Sequence, residues 1–322
     1  MRKKKMRIDK KQFAKRLMQS DFIQILMHEQ PDGDAVGSAY ALFAALEKLN
    51  KTIRVDCFDE PPKNLRFITK AVKFQKFEPQ LTVAVDVADI KLLGDNWRDY
   101  EGKIDLCLDH HTSNTFYADS TYLEDRAAAS EMVYEVINEL GVTIDEYIAS
   151  CIYVGVSTDT GCFRYPNTTS DTLRIAADMM DKGIDAQAIN KAMFETKTKS
   201  FVKLEKLVNE TLELHFDERC AIYTITRKMF DKSGALESEC HPITAASRQI
   251  EGVLVGVVIK EQKDGTFNIS VRTNNPLNAS AICSKLGGGG HKNAAGCELV
   301  SSLSETKAAL LKVIGDALNE AV

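Results

Sequence analysis

The sequence has little of what several common protein classes require. Its eight cysteines are scattered at positions 57, 107, 151, 162, 220, 240, 283 and 297 with no CxxC pair, so a zinc knuckle or a disulfide framework is not expected. Several lie inside apolar runs, as Cys107 does within residues 104–108, the usual setting of reduced, buried thiols. No apolar run approaches the length that spans a bilayer; residues 252–259 are among the longest. Positive charge is not in excess either. The balance of 41 Lys/Arg against 46 Asp/Glu leaves a net charge of −5, which disfavours a protein that wraps long nucleic acid. Only the first sixteen residues are strongly basic, with nine Lys/Arg; they read as a solvated helix face, with nucleic-acid contact the lesser alternative. No apolar stretch or small-residue cleavage site follows them, so no signal peptide is expected and the setting reads as cytoplasmic, without a membrane partner. Histidine is scarce, at six residues, which gives weight to the places where it clusters.

What is present is ordinary globular material, 44% hydrophobic and 27% charged over 322 residues, enough for two domains. Strands are expected over 22–27, 53–58, 81–85 and 104–108, and helices over 37–50, 127–140, 144–157 and 170–181. This alternation implies an α/β domain over 1–190 with a mostly parallel sheet covered on both faces. Residues 191–212 are polar, helical in pattern and without a neighbouring strand, and read as a helical linker. Strands over 221–226, 252–261, 266–272 and near 297–300, a glycine-rich turn at 287–290 and a helix over 304–318 make a smaller α+β domain over 213–322. That domain is not a basic clamp, since residues 211–322 carry 12 Lys/Arg and 13 Asp/Glu.

The chemistry-bearing residues fall at the ends of these elements. His28, Asp32 and Asp34 lie in a stretch that Pro31 and Gly33 keep from being helical, a turn leaving the first strand. Such turns at the C-terminal edge of parallel strands are where α/β sheets place ligands. A surface Asx turn with a stray histidine is the bland alternative. Asp109, His110 and His111 end another strand, Asp86 ends a third, and Asp159 follows in Ser157-Thr-Asp-Thr-Gly161. Any one of these aspartates could be only a cap. Four such sites in order, two with histidine, make that reading improbable.

His28-x-x-x-Asp32-x-Asp34, Asp86, Asp109-His110-His111 and Asp159 resemble the four motifs of the DHH phosphoesterase family. Gly287-Gly-Gly-Gly-His291-Lys-Asn-Ala-Ala-Gly296 resembles the signature of the associated DHHA1 domain. The resemblance runs from residue 28 to 296. It implies a DHH domain over 1–190 and a DHHA1 domain over 213–322. The length is too short for a RecJ-type exonuclease, and the glycine-rich run sets the chain apart from family II pyrophosphatases. What remains resembles the stand-alone nanoRNase/pAp-phosphatase type. The implied activity is hydrolysis of short oligoribonucleotides to mononucleotides and of pAp to AMP, with a soluble phosphodiesterase for cyclic di-AMP or pApA as the alternative. A homodimer fits the resemblance.

The resemblance assigns one divalent ion to His28, Asp32 and Asp86, and a second to Asp34, Asp86, His110 and Asp159, with Asp86 bridging. Ions bridged in this way sit ~3.5–4 Å apart and share and acidify a water. Imidazole among carboxylates favours Mn²⁺ over Mg²⁺, and the family is similarly Mn-dependent. Asp109 would orient a histidine ring, and His111 would reach the scissile phosphate. Four aspartates offset most of the charge of two divalent ions, so substrate charge must be met elsewhere. Arg272 could fork onto a phosphate, and His291 with the amides of Gly288, Gly289 and Gly290 could form an anion nest; a plain tight turn is the alternative for those glycines. Substrate is then expected in a cleft between the domains. Arg248 reads as structural, and Arg164 fits either role. A non-catalytic sensor built on a decayed enzyme is disfavoured because every matched position holds a competent residue.

Overall fold

Among the described residues of the first half, short runs of apolar and β-branched residues form six strands: β1 (Met6–Arg7), β2 (Phe22–Leu26), β3 (Thr52–Asp56), β4 (Leu81–Val85), β5 (Leu106–Asp109) and β6 (Ser120–Leu123). They pair in the order β1-β6-β5-β4-β2-β3, every pair parallel. The structure, a computed structural model, describes residues 5–69 and 76–320. It divides into two units, Met1–Thr196 and Lys197–Val322.

Strand side chains alternate between two apolar clusters, as the period of two requires. Ile23, Ile25, Val83, Val85, Leu106 and Leu108 face the larger one. There they meet helices α1 (Lys10–Met18), α2 (Gly33–Lys48), α4 (Ala129–Glu139), α5 (Glu146–Asp159), α6 (Ser170–Asp181) and α7 (Ala186–Asn190), with Ile68 of the short α3 (Arg66–Thr69). Leu26, Ala84 and Cys107 face the other way, onto Leu93, Ile104 and Ala118. That second face is covered by the 3-10 turns Ile90–Leu93 and Trp97–Tyr100 rather than by long helices. The parallel sheet covered on both faces is therefore present, with helix on one side only.

Helix α2 is buried along nearly its whole length and crosses α5 closely. A Cβ at Gly155 would lie 1.9 Å from Ser130 Oγ and 2.6 Å from Asp34 Oδ1, so only glycine fits at this crossing.

The strand order has a functional consequence. From β2 the chain moves outward to β3, then returns to β4 on the other side of β2 and continues to β5 and β6. The order reverses between β2 and β4, and the crevice at the C-terminal ends of such a strand pair is where open α/β sheets bind ligands. His28 and Asp86 follow β2 and β4 at that edge.

The second unit has a mixed sheet of β7 (Glu213–His215), β8 (Cys220–Ile225), β9 (Val255–Glu261), β10 (Phe267–Thr273), β11 (Gly289–His291) and β12 (Ala294–Leu299), in the order β11-β12-β10-β9-β8-β7. Among the described residues only the β8–β9 pair is parallel. Helices α11 (Ala279–Ser284) and α12 (Leu303–Glu320) cover one face through Ile282, Leu310, Ile314 and Leu318. Helices α8 (Lys199–Asn209), α9 (Arg227–Ser233) and α10 (His241–Ala246) cover the other.

The expected linker helix over 191–212 is interrupted. A π-helical turn at Lys191–Glu195 ends at Thr196, and Thr198 then caps α8 by accepting from the Phe201 amide at 3.0 Å. Phe201, Leu204 and Val208 form an apolar stripe at helical spacing that packs on Tyr223, Ile225 and Phe230. Helix α8 is thus part of the second unit's core. Among the described residues no helix is long and apolar enough to cross a membrane.

Candidate metal centre

Each candidate ligand is delivered by the end of an element. The stretch expected to be a non-helical turn passes directly into α2: Asp32 is its N-cap, accepting from the amides of Asp34 and Ala35 at 3.0 Å each, and Asp34 lies in the first turn. Proline at 31 precedes the helix rather than preventing it. Asp86 leaves β4 in the left-handed region at φ +59°, its amide bonded to the Leu108 carbonyl at 2.9 Å. A non-glycine residue held there stores strain that its surroundings must impose, a feature concentrated at functional sites. Asp109 ends β5 and Asp159 ends α5.

These ends converge into two groups. His28 Nε2 lies 3.9 Å from Asp32 Oδ1 and 3.8 Å from Asp86 Oδ2. His110 Nε2 lies 3.4 Å from Asp86 Oδ1, 3.3 Å from Asp159 Oδ2 and 3.9 Å from Asp34 Oδ2. The two oxygens of Asp86 therefore point into different groups. Within each of the sets His28, Asp32, Asp86 and Asp34, His110, Asp159, candidate ligand atoms all lie within 4.8 Å of one another.

The histidines share one arrangement. His28 Nδ1 bonds the Glu29 carbonyl at 2.6 Å, His110 Nδ1 the Arg126 carbonyl at 3.0 Å, and His111 Nδ1 the Asp109 carboxylate at 2.8 Å. An oxygen acceptor at Nδ1 holds a proton on that nitrogen and turns Nε2 the other way, the usual orientation of a metal-binding imidazole. Asp109 thus orients His111 rather than His110, and is itself held by Asn114 Nδ2 at 2.7 Å and the His110 amide at 3.0 Å. His111 can also be grouped with Asp86 and His110, but its Nδ1 is already committed to Asp109.

The residues fit divalent cations. Asp86 Oδ1 and His110 Nε2 are buried with no hydrogen-bond partner among the described residues, a costly state unless something else satisfies them. Burial, then the charge of Asp86, raises the Asp34 carboxyl to about 7. Burial alone would lower the His110 imidazolium, but Asp86, Asp34 and Asp159 outweigh it and raise it to about 11. Protons are thus retained where cationic charge is wanted. Carboxylate oxygens with imidazole nitrogens form a mixed donor set suited to a divalent metal ion.

Sequence reasoning missed the residues that hold Asp34. The Ala129 amide donates to its Oδ2 at 2.6 Å, and the Ser130 amide and hydroxyl to its Oδ1 at 3.0 and 2.6 Å. The signal available was the small-residue run 127–130 at a helix start, a natural anion seat.

In the second unit Arg272 lies on β10 opposite Gly256 and Ala294, its Nη1 on the Val271 carbonyl at 3.1 Å. The glycine run forms the turn into β11 and part of that strand. Gly288 spends its amide on the Cys283 carbonyl at 2.9 Å, which removes it from the expected anion nest. A Cβ at Gly288 would strike the Gly296 carbonyl at 2.2 Å, and Gly290 sits at φ +142° against the Ala294 carbonyl, whereas Gly289 meets nothing within 4 Å. Packing therefore accounts for Gly288 and Gly290 and leaves Gly289 unexplained by the fold. The His291 side chain lies outside the described part of the structure. Arg248 Nη1 bonds Asn274 Oδ1 at 3.2 Å while Asn274 Nδ2 returns to the Arg248 carbonyl at 3.1 Å, a structural pairing. Arg164 is exposed, with its Nε on the Gly161 carbonyl.

Residues 22–156 match the DHH family N-terminal domain, and residues 224–320 match the DHHA1 domain. Over 285 residues the chain is 33% identical to the bifunctional oligoribonuclease and PAP phosphatase NrnA of Thermus thermophilus, covering 86% of this chain and 84% of that protein. An exopolyphosphatase-related protein from Bacteroides fragilis has the same fold, with a TM-score of 0.86 at 22% identity over 97% of this chain and 96% of that chain. RecJ from Thermus thermophilus in complex with Mn²⁺ shares the fold more loosely, with a TM-score of 0.55 at 12% identity over 96% of this chain and 54% of that chain. The chain belongs to the DHH family and carries the DHHA1 domain behind its DHH domain.

Proposed function

We propose that this protein is a two-metal phosphoesterase that hydrolyses short oligoribonucleotides to mononucleotides and dephosphorylates pAp to AMP. The observation that carries the two-metal reading is Asp86, whose separate oxygens face separate ligand groups. The substrate reading is supported by the relationship to the Thermus enzyme over most of both chains.

In this reading His28, Asp32 and Asp86 hold one ion, and Asp34, Asp86, His110 and Asp159 hold the other. Mn²⁺ is the ion of choice on the mixed imidazole and carboxylate donor set; RecJ on a related fold is found with Mn²⁺ and with Mg²⁺ and supports a divalent ion of either kind. When bound, such a pair supplies Lewis acidity toward a phosphate and acidifies water at neutral pH. The remaining work belongs to the chain. Asp109 holds the His111 ring by Nδ1, which leaves Nε2 to face the substrate. Burial opposes the charged form of His111, but the hydrogen bond to Asp109 and the charge of Asp86 more than offset it and raise its pKa. A protonated His111 can then donate to the leaving oxygen as a general acid. Arg272, Gly289, Gly290 and His291 are the proposed substrate-binding residues, with Gly289 the strongest of the glycines because neither packing nor backbone conformation demands it; Gly288, its amide spent on the Cys283 carbonyl, is left out. A cytoplasmic setting is consistent with free thiols at all eight cysteines.

The test is direct. The Mn²⁺-loaded protein is incubated with pAp, a diribonucleotide, a five-nucleotide RNA and cyclic di-AMP. Faster turnover of pAp and the short RNAs than of cyclic di-AMP supports the proposal; the reverse order moves the chain to the cyclic-dinucleotide alternative.

A further inference from the structure

One short stretch of backbone, residues 126–130, fixes three of the residues gathered around the second group. His110 is held by the Arg126 carbonyl at 3.0 Å. Asp34 is held by the Ala129 amide and by the amide and hydroxyl of Ser130. Asp159 is reached through Asn167, whose Nδ2 donates at 3.1 Å to the Ala127 carbonyl and at 3.1 Å to the Asp159 carbonyl, tying the end of α5 to the same stretch. Behind this stretch stands Glu131, buried at 1% exposure, its carboxylate against the Ala127 amide and the Thr172 hydroxyl. Its Oε1 has no hydrogen-bond partner among the described residues.

The first group is anchored elsewhere. His28 bonds the Glu29 carbonyl, and Asp32 takes the amides of Asp34 and Ala35. The two groups therefore share Asp86, and the Asp34 amide reaches Asp32. Among the candidate ligands, however, the hydrogen bonds of Arg126, Ala129, Ser130 and the Ala127-bound Asn167 go to Asp34, His110 and Asp159 alone.

We infer that residues 126–131, with Asn167, frame one metal position only, that of Asp34, His110 and Asp159, and that Asn167 and Glu131 are positioning residues setting the affinity for that single ion. The inference rests on the two-metal reading above. Neither residue reaches the ligand atoms of the group; each acts through the backbone that carries or orients a ligand. Outer partners of this kind typically change metal affinity about 10- to 100-fold.

Asn167 is the clean probe because it is exposed and outside the core. Mn²⁺ binding is followed by titration calorimetry and by the electron paramagnetic resonance signal of free Mn²⁺, in wild type and in Asn167→Ala. The same substitution is placed in a His28→Ala background, which leaves the second position, and in an Asp159→Ala background, which leaves the first. The expected result is weakening of one ion out of two by about 10- to 100-fold, reproduced in the His28→Ala background and absent in the Asp159→Ala background. Asn167→Asp, which replaces the donor by an acceptor without changing shape, and Glu131→Gln should give the same one-ion pattern if Asn167→Ala folds poorly. Equal weakening of both ions, or of neither, overturns the inference. A wild-type protein that binds no Mn²⁺ overturns the two-metal reading instead.

Discussion

His110 Nε2 lies 3.4 Å from Asp86 Oδ1, and neither buried atom has a hydrogen-bond partner among the described residues. Two orphaned atoms facing each other across that gap describe a seat for a cation better than they describe a finished ion pair. Asp86 is also the residue common to both groups.

Removing Asp86 should therefore cost both ions. Asp86→Ala is expected to lose bound Mn²⁺ on dialysis, measured by elemental analysis, and to lower kcat by on the order of 10³. Retention of two ions would exclude Asp86 as the bridge.

His111 and Asp109 should separate chemistry from metal content. His111→Asn is expected to lower kcat by roughly 10²–10⁴ while the protein still binds two ions. Asp109→Asn should lower kcat in the same direction, because Nδ1 then faces a neutral amide in place of the carboxylate that favours the charged ring. Loss of metal in His111→Asn would move this residue into the ligand set.

Arg272→Ala should raise KM about 10- to 100-fold for phosphate-bearing substrates, the range expected for a lost hydrogen bond to a charged group. Metal content should be unchanged. Wild-type kinetics in this variant would remove Arg272 from substrate binding.

The metal-free protein should become less stable as pH rises. Asp34 has a folded pKa of about 7 against an ordinary 3.8, so between those values the folded state binds more protons than the unfolded one and stability falls with rising pH. His110, raised to about 11 from 6.5, contributes in the same direction above its ordinary value. Thermal melts of metal-free protein between pH 4 and 7 should show this slope, and Asp34→Asn should reduce it. Mn²⁺ at neutral pH should raise the melting temperature and release protons on binding. A slope identical in wild type and Asp34→Asn would exclude this carboxyl as its source.

Much of this was readable in the chain because the site is built where element types change. Strand 81–85 and helix 170–181 are sharply bounded by polar residues and caps, and the structure has them at the same limits. Strand β6 and the two-residue β1 escaped because Ser120-Thr-Tyr-Leu and Met-Arg carry no periodic signal of their own; they are strands only because they pair with β5 and with each other. The packing of α8 within the second unit was hidden for a related reason. Lys and Glu dominate residues 197–210, and three apolar side chains suffice to dock the helix. At the candidate metal centre the residues with distinctive chemistry stood out, whereas most of their supports are backbone amides and carbonyls, which sequence marks only faintly, as in the small-residue run 127–130.

The crossing of α2 and α5 joins two properties usually treated separately. Gly155 precedes Asp159 by about one helical turn, and the space beside it is filled by the Asp34 carboxylate and the Ser130 hydroxyl. A methyl group added there would wedge the helices apart and push the Asp34 carboxylate aside in the same movement. Drift at this position is therefore filtered twice by one atom, and hardening this part of the interior against heat cannot be pursued independently of where the Asp34 carboxylate sits.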